Sequence, residues 1–151
     1  MLGFAYYMQY VEHLMPCILC LWQRPPHFAA AGLGVLAFLS VGGPKVLPRL
    51  FLGLAALAFL TGAGIGIFHT GVELHLWPGL AECGGTIGPL STDIGVLAAG
   101  MNATKIVACD QPSWIFLGLS MAAWNAVLSL GLAGIALWGM LQGRLRGRFR
   151  A

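Results

Sequence analysis

Three long apolar runs organise the chain, separated by one short polar turn and one long polar stretch. They extend from about Leu21 to Val41, from Leu50 to about His69, and from Trp114 to Leu141. A helix crossing the hydrocarbon core of a bilayer needs about 20 apolar residues. The first two runs fit that length. The third exceeds it, so its start, Trp114 to Ser120, is expected to lie along the interface before the chain turns inward near Met121. A fourth segment, Met1 to Val11, is apolar and aromatic, but about 11 helical residues reach only roughly 16 Å, half a bilayer. It has neither a basic n-region nor a small-residue cleavage site, and it reads as the outer half of a first span whose beginning is missing.

The expected fold is therefore an all-α integral membrane protein, a four-helix transmembrane bundle whose first helix is truncated. One domain covers 1–151, with spans at about 1–14 (partial), 21–41, 50–69 and 121–141. A long outer loop covers about 70–112 and a tail covers 142–151. In that loop Ser91, Thr92 and Asp93 precede the apolar piece Ile94–Ala99, and their side chains suit the N-cap of a short surface helix. Gly62 and Gly66 form a G-x-x-x-G, read as a site of close helix packing.

Composition narrows the class further. Hydrophobic residues make up 58% and charged residues 9%, with a mean hydropathy of +0.83. Soluble domains carry about 25% charged residues. Eight basic and five acidic side chains cannot cover the surface of a soluble fold this size. A soluble enzyme, a nucleic-acid module and a disordered chain are all excluded.

Charge placement gives the orientation. Lys45 and Arg49 lie in the Gly42–Arg49 turn, and Arg144, Arg146, Arg148 and Arg150 lie in the tail. The acids Glu12, Glu73, Glu82, Asp93 and Asp110 lie on the other side of this map. Basic loops stay cytoplasmic. The turn and the tail are thus cytoplasmic, and Glu12–Cys20 and the long loop face outward. All four cysteines, Cys17, Cys20, Cys83 and Cys109, fall on or at the edge of that outer side. The outer side of a bacterial-type inner membrane is oxidising, so an external C-x-x-C suggests a dithiol/disulfide couple, where a cytosolic one would suggest zinc.

The strongest local feature is Met15-Pro16-Cys17-Ile18-Leu19-Cys20-Leu21-Trp22-Gln23-Arg24. At a helix N-terminus, free backbone N–H groups and the dipole favour a thiolate. A helix starting near Pro16 puts Cys17 and Cys20 one turn apart, with Arg24 four residues on along the same face. A guanidinium there would stabilise a Cys20 thiolate, and a charge inside a span points to function. His27 continues the stripe and is read as an interfacial packing histidine. Pro25 and Pro26 remove helix donors and allow a kink or a late helix start. Trp22, Trp77 and Trp114 suit an outer aromatic belt, without a catalytic role.

Cys83 and Cys109 form the second pair. Their 26-residue separation fits neither a zinc ribbon nor a finger. By themselves they read as a disulfide that staples the loop. Beside the inner pair they read as one half of a relay, because two couples on one side of a small protein can pass electrons by thiol–disulfide exchange. The chain has no haem motif, no iron–sulfur cysteine set and no dinucleotide glycine motif. A couple at the membrane edge can hand two electrons to a lipid-soluble acceptor, of which quinone is the obvious one. His69 ends the second full span at the same outer interface and could border the quinone pocket.

These residues carry a family resemblance. Tyr7-x-Gln9-Tyr10 precedes Pro16-Cys17-Ile18-Leu19-Cys20 and Gln23-Arg24. His69-x-Gly71-Val72-Glu73 follows, then Trp77-Pro78-Gly79 and Cys83. Last comes Cys109-Asp110-x-Pro112-x-Trp114-x-Phe116-Leu117-Gly118-Leu119-Ser120-Met121. From about Tyr6 to Gly139 the chain resembles the DsbB family of bacterial inner-membrane disulfide-bond formation proteins. The vitamin K epoxide reductase family uses similar chemistry with the loop cysteines ahead of the C-x-x-C, and this chain has the opposite order.

The resemblance implies a four-helix bundle that reoxidises DsbA, a soluble periplasmic protein of thioredoxin fold. It implies that Cys83 forms the mixed disulfide with that partner and Cys109 completes the loop disulfide. Cys17 and Cys20 then reoxidise the loop pair. Cys20 forms the thiolate–quinone adduct or charge-transfer complex, with Arg24 assisting and His69 beside the quinone.

The sequence thus leads to a quinone-dependent protein-dithiol oxidase of the bacterial inner membrane. Its cofactor is ubiquinone or menaquinone, and its partners are a DsbA-like protein, the quinone and the bilayer, without nucleic acid or metal. The competing reading is a non-catalytic membrane scaffold whose two external disulfides are structural. A metal-binding module ranks third, because the cysteine spacing does not suit a four-ligand site.

Overall fold

In a computed structural model, the structure describes residues 1–14, 16–80, 83, 109–112 and 114–148, with backbone alone for 143–148. Helices α1 (Leu2–Tyr10), α2 (Ile18–Trp22), α3 (Arg24–Leu39) and α4 (Val46–Glu73) come first. A two-stranded hairpin of β1 (Ile115–Phe116) and β2 (Leu119–Ser120) precedes the last helix, α5 (Met121–Arg148). The chain is mostly helical. The surface helix expected at Ile94–Ala99 lies outside the described residues.

Local chemistry explains the boundaries. Cys17 caps α2, its sulfur accepting from the Cys20 backbone N–H at 3.3 Å. Gln23 is a single αR residue between α2 and α3, so the chain stays nearly helical from Ile18 to Leu39. Pro25 and Pro26 sit in the first turn of α3, where the missing N–H groups cost no helix bond. The prolines therefore reset the helix at Gln23 without ending the run.

The interior is built from small residues. Ala30, Ala37, Ala55, Ala56, Ala63, Ala122, Ala126 and Ala133 are buried. The large apolar side chains point outward: Phe38 is 78% exposed, Leu39 71%, Leu57 60% and Ile135 64%. Water would penalise that arrangement; lipid does not, and small residues let helices approach closely there. Among the described residues, Val46–Glu73 and Met121–Gln142 are long and apolar enough to cross a membrane. These features match a helical membrane protein.

Helix α4 is central, packed along both α3 and α5. The two glycines of the G-x-x-x-G serve different neighbours. A Cβ on Gly62 would lie 3.3 Å from the His27 ring of α3. A Cβ on Gly66 would lie 3.1 Å from the Ala126 nitrogen and 3.2 Å from the Ala122 oxygen of α5. Close packing is the outcome, on two sides of α4.

The segment expected to lie along the interface is a hairpin. Ile115 pairs with Ser120 and Phe116 with Leu119. Leu117 (φ 53°) and Gly118 (φ 79°) both take positive φ, the signature of a tight type I′ connection. Trp124 of α5 donates its indole N–H to the Phe116 carbonyl at 2.9 Å and ties the hairpin to the helix. The aromatic rings of Trp114 and Phe116 stack at 5.4 Å, and Phe4 of α1 meets Trp114 at 5.1 Å.

Candidate redox site and adjoining cavity

The four cysteines converge. Cys83 and Cys109 form a disulfide with Cα atoms 5.0 Å apart. That disulfide, Cys17, Leu19 and Val72 make one buried apolar cluster, and Cys20, Ile18 and Leu80 pack against it. Its outer side is shaped by the end of α4. Trp77 folds back over Gly71, where any Cβ would collide with the indole, and donates to the Phe68 carbonyl at 3.0 Å. The Cys109 N–H donates to the Cys83 carbonyl at 3.2 Å.

Cys17 and Cys20 are free thiols sharing a hydrogen bond, with their sulfurs 2.9 Å apart. Both precede the apolar run that begins at Leu21. The bond shared with Cys20 lowers the Cys17 thiol to about 5, with His69 adding to the effect and burial opposing it. Cys20 is pushed the opposite way by the same hydrogen bond and keeps its proton. The sequence reading put the thiolate on Cys20 under Arg24. The hydrogen bond from Cys20, then His69 and the helix cap, instead favour the charged form of Cys17.

His69 Nε2 lies 3.7 Å from Cys17 Sγ and 3.8 Å from Glu73 Oε1. The sequence reading put His69 at the edge of a quinone pocket. The structure sets it behind the cysteine pair, and it is not among the residues that line the cavity described next.

That cavity, about 360 Å³, lies on the other side of Cys20. Its walls come from α1 (Phe4, Ala5, Met8), the hairpin segment (Trp114, Phe116) and α5 (Met121, Asn125). Cys20 of α2, Gln23 of the junction, and Arg24 and His27 of α3 face it. Pockets of roughly 300–1,000 Å³ with apolar walls and a few polar groups suit small-molecule ligands. Arg24 stacks its guanidinium on Tyr6, 4.8 Å from the ring centroid. Its buried Nε has no hydrogen-bond partner. A buried donor without an acceptor is costly, so the cavity offers one site for a ligand oxygen close to a cysteine. These residues fit a flat ring carrying carbonyl oxygens.

Sequence reasoning missed the polar chain behind this wall. Gln23 is hydrogen-bonded to His69 Nδ1 at 3.0 Å through its Nε2, and its Oε1 accepts from the Asn125 amide. Asn125 Oδ1 accepts from Ser129 Oγ at 3.4 Å. His27, read from the sequence as a packing histidine, is buried. Its Nδ1 donates to the Gln23 carbonyl at 2.8 Å, and its Nε2 lies 3.3 Å from Ser129 Oγ. Polar Asn125 and Ser129, four residues apart inside an apolar run, were the available signal. Trp114 lines the cavity as well as belonging to an aromatic cluster.

Comparison with known proteins places the chain in a family. A family described as "Disulfide bond formation protein DsbB" matches residues 1–139. The chain is 31% identical over 155 residues to the disulfide bond formation protein B of Azoarcus sp. (strain BH72), covering 97% of this chain and 87% of that one. It is 32% identical over 147 residues to that of Xanthomonas oryzae pv. oryzae (strain MAFF 311018), covering 95% and 82%. To that of Acinetobacter baumannii (strain ATCC 17978) it is 28% identical over 148 residues, covering 93% and 83%. No solved structure matches the chain.

Proposed function

Because the chain belongs to the DsbB family of disulfide bond formation proteins, we propose that it is a quinone-dependent protein-dithiol oxidase. It takes two electrons from a reduced periplasmic DsbA-like protein and delivers them to ubiquinone or menaquinone. The observation that carries this reading is the position of Cys20. It packs against the cluster holding the Cys83–Cys109 disulfide and also faces the cavity. One sulfur thus adjoins both the electron source and a site for the acceptor.

The electron path follows thiol–disulfide exchange, in which a thiolate attacks a disulfide sulfur and expels the other. The partner thiolate attacks Cys83, forming a mixed disulfide and freeing Cys109. The partner's second thiolate resolves that bond and leaves as a disulfide. The loop pair, now a dithiol, reduces the Cys17–Cys20 disulfide and closes again. The inner pair is left as the dithiol described above.

Bound quinone supplies a two-electron, two-proton sink. The chain's residues do the rest. Arg24 Nε offers a donor to a carbonyl oxygen in the cavity, and the aromatic walls hold a ring flat. Cys20 passes its proton to the Cys17 thiolate across their shared hydrogen bond and becomes the electron donor. Closing the Cys17–Cys20 bond would give such an acceptor one electron pair and the single thiol proton of the pair, and its second proton would come from solvent.

This role fits a four-helix protein of the bacterial inner membrane, with a partial span near 1–14 and spans near 21–41, 50–69 and 121–141. The loop over 70–112 and the cysteines then face the periplasm, and the tail at 142–151 faces the cytoplasm. The test follows quinone absorbance with purified protein in detergent, a ubiquinone analogue and a reduced DsbA-like protein. Loss of absorbance with the wild type and none with Cys20→Ser supports the proposal. No loss, with all four cysteines stably paired, overturns it in favour of a scaffold with structural disulfides.

A further inference from the structure

Gln23 is neither a cysteine nor a charged group, yet it sits at the junction of α2 and α3 and is nine-tenths buried. Its backbone carbonyl accepts from His27 Nδ1 at 2.8 Å, and its amide bridges His69 to Asn125. A side-chain amide has one donor end and one acceptor end. Here the acceptor end, Oε1, is taken by the Asn125 N–H, and Asn125 Oδ1 is taken in turn by the Ser129 hydroxyl. The donor end, Nε2, therefore points at His69 Nδ1 across 3.0 Å.

A ring nitrogen that accepts a hydrogen bond carries no proton. In a neutral imidazole the other nitrogen then carries it. We infer that Gln23, anchored by Asn125, is a positioning residue that holds His69 in its Nε2–H tautomer and so makes His69 a hydrogen-bond donor to the Cys17 thiolate.

The geometry around Cys17 fits that role. His69 Nε2 is 3.7 Å from Cys17 Sγ, and both residues are buried. The other titratable groups facing this point are Cys20 from α2 and Glu73 from α4, whose Oε1 is 3.8 Å from His69 Nε2. A Cys17 thiolate and an ionised Glu73 would each need a donor, which a bare ring nitrogen cannot supply. The opposite tautomer would aim a lone pair at a thiolate and a carboxylate, and two N–H groups at each other. A neutral imidazole fixed by a second residue is the arrangement that orients histidines in nucleophile sites and metal sites.

This inference rests on the proposed oxidase for its purpose: a thiolate kept at Cys17 is the base that takes the Cys20 proton. Its test needs neither quinone nor partner. The full chain carrying Cys83→Ser and Cys109→Ser is reduced in detergent, with its histidines labelled with 15N. The expected result is an unprotonated Nδ1 and a protonated Nε2 at His69. A His69 signal with Nδ1–H and bare Nε2 overturns the inference.

A second measurement uses thiolate absorbance against pH. Gln23→Leu and His69→Phe are each expected to lower the thiolate-to-thiol ratio at fixed pH at least tenfold. In the His69→Phe background Gln23→Leu is expected to change nothing further, because Gln23 acts through His69. Independent, additive effects overturn the inference, as does a Gln23→Leu protein that is folded and titrates like the wild type. A failed quinone assay with the expected tautomer would sink the oxidase reading alone.

Discussion

Gln23 and Asn125, 102 residues apart in the chain, are joined amide to amide inside the helical assembly. That bond fastens the α2–α3 junction to α5 directly beside the cysteine pair. It also separates two environments: the buried disulfide cluster with His69 on one side, and the cavity with Arg24 on the other. The predictions below address both.

Cys20→Ser should abolish quinone reduction, because the sulfur facing the cavity is gone. The loop disulfide remains, so one equivalent of reduced partner should still be oxidised in a single burst. Mass spectrometry of trapped cysteines reads both outcomes. Multiple turnovers by the variant would refute the assigned electron path.

Arg24→Ala removes both the unpartnered buried donor and the contact with Tyr6. A hydrogen bond from a charged group contributes about 1.5–3 kcal/mol, which corresponds to roughly 10–150-fold in quinone turnover efficiency. Arg24→Lys, which keeps the charge without the Nε donor, should recover only part. Steady-state kinetics with varied quinone measures this, and unchanged kinetics for Arg24→Ala would remove Arg24 from the site.

Reactivity of the reduced inner pair should follow the Cys17 thiolate. Its pKa is depressed to about 5 by the Cys20 hydrogen bond. The thiolate is therefore present above that pH and is lost as pH falls through it. Because the folded value lies below that of an unfolded thiol, the dithiol form gains stability from this group at alkaline pH, progressively lost as pH falls toward about 5. Thiolate absorbance of the protein lacking the loop cysteines should give that midpoint. A midpoint near an ordinary thiol would contradict it.

Gly66→Ala should destabilise the helix assembly. The added Cβ would meet the Ala126 nitrogen at 3.1 Å and the Ala122 oxygen at 3.2 Å, which are backbone atoms of a neighbouring helix. Overpacking of this kind typically costs about 1–3 kcal/mol. Gly64→Ala, with no atom within 4 Å of the added Cβ, is the control and should be neutral or slightly stabilising. Thermal unfolding in one detergent compares the two, and equal effects would disprove the close contact.

Much of this arrangement was legible in the sequence because local rules produce it. Pro16-Cys17-x-x-Cys20 reads as a helix start, and Cys17 is the cap of α2. Apolar length announced α4 and α5, and Gly62-x-x-x-Gly66 announced close packing. The helix does begin at Met121, but apolar content alone could not show that Ile115–Ser120 ahead of it forms a hairpin. The one available signal was Gly118, since glycine takes positive φ without strain. The thiolate was assigned to Cys20 because periodicity sees Arg24, four residues away in sequence, and not His69, 52 residues from Cys17. The Gln23–Asn125 bond was invisible for the same reason: residues that meet only through tertiary packing leave no spacing to read.

The inversion of bulk, with alanine and glycine inside and leucine and phenylalanine outside, also bears on how this chain can change over time. Outward positions such as Leu57 and Ile135 face a solvent that reads only apolarity. They are free to exchange among aliphatic and aromatic types. Ala56, Ala63 and Ala133, each 1% exposed, have no such latitude, since overpacking a filled interior is destabilising. In this protein the smallest side chains are the least replaceable, and genetic drift will collect on the largest.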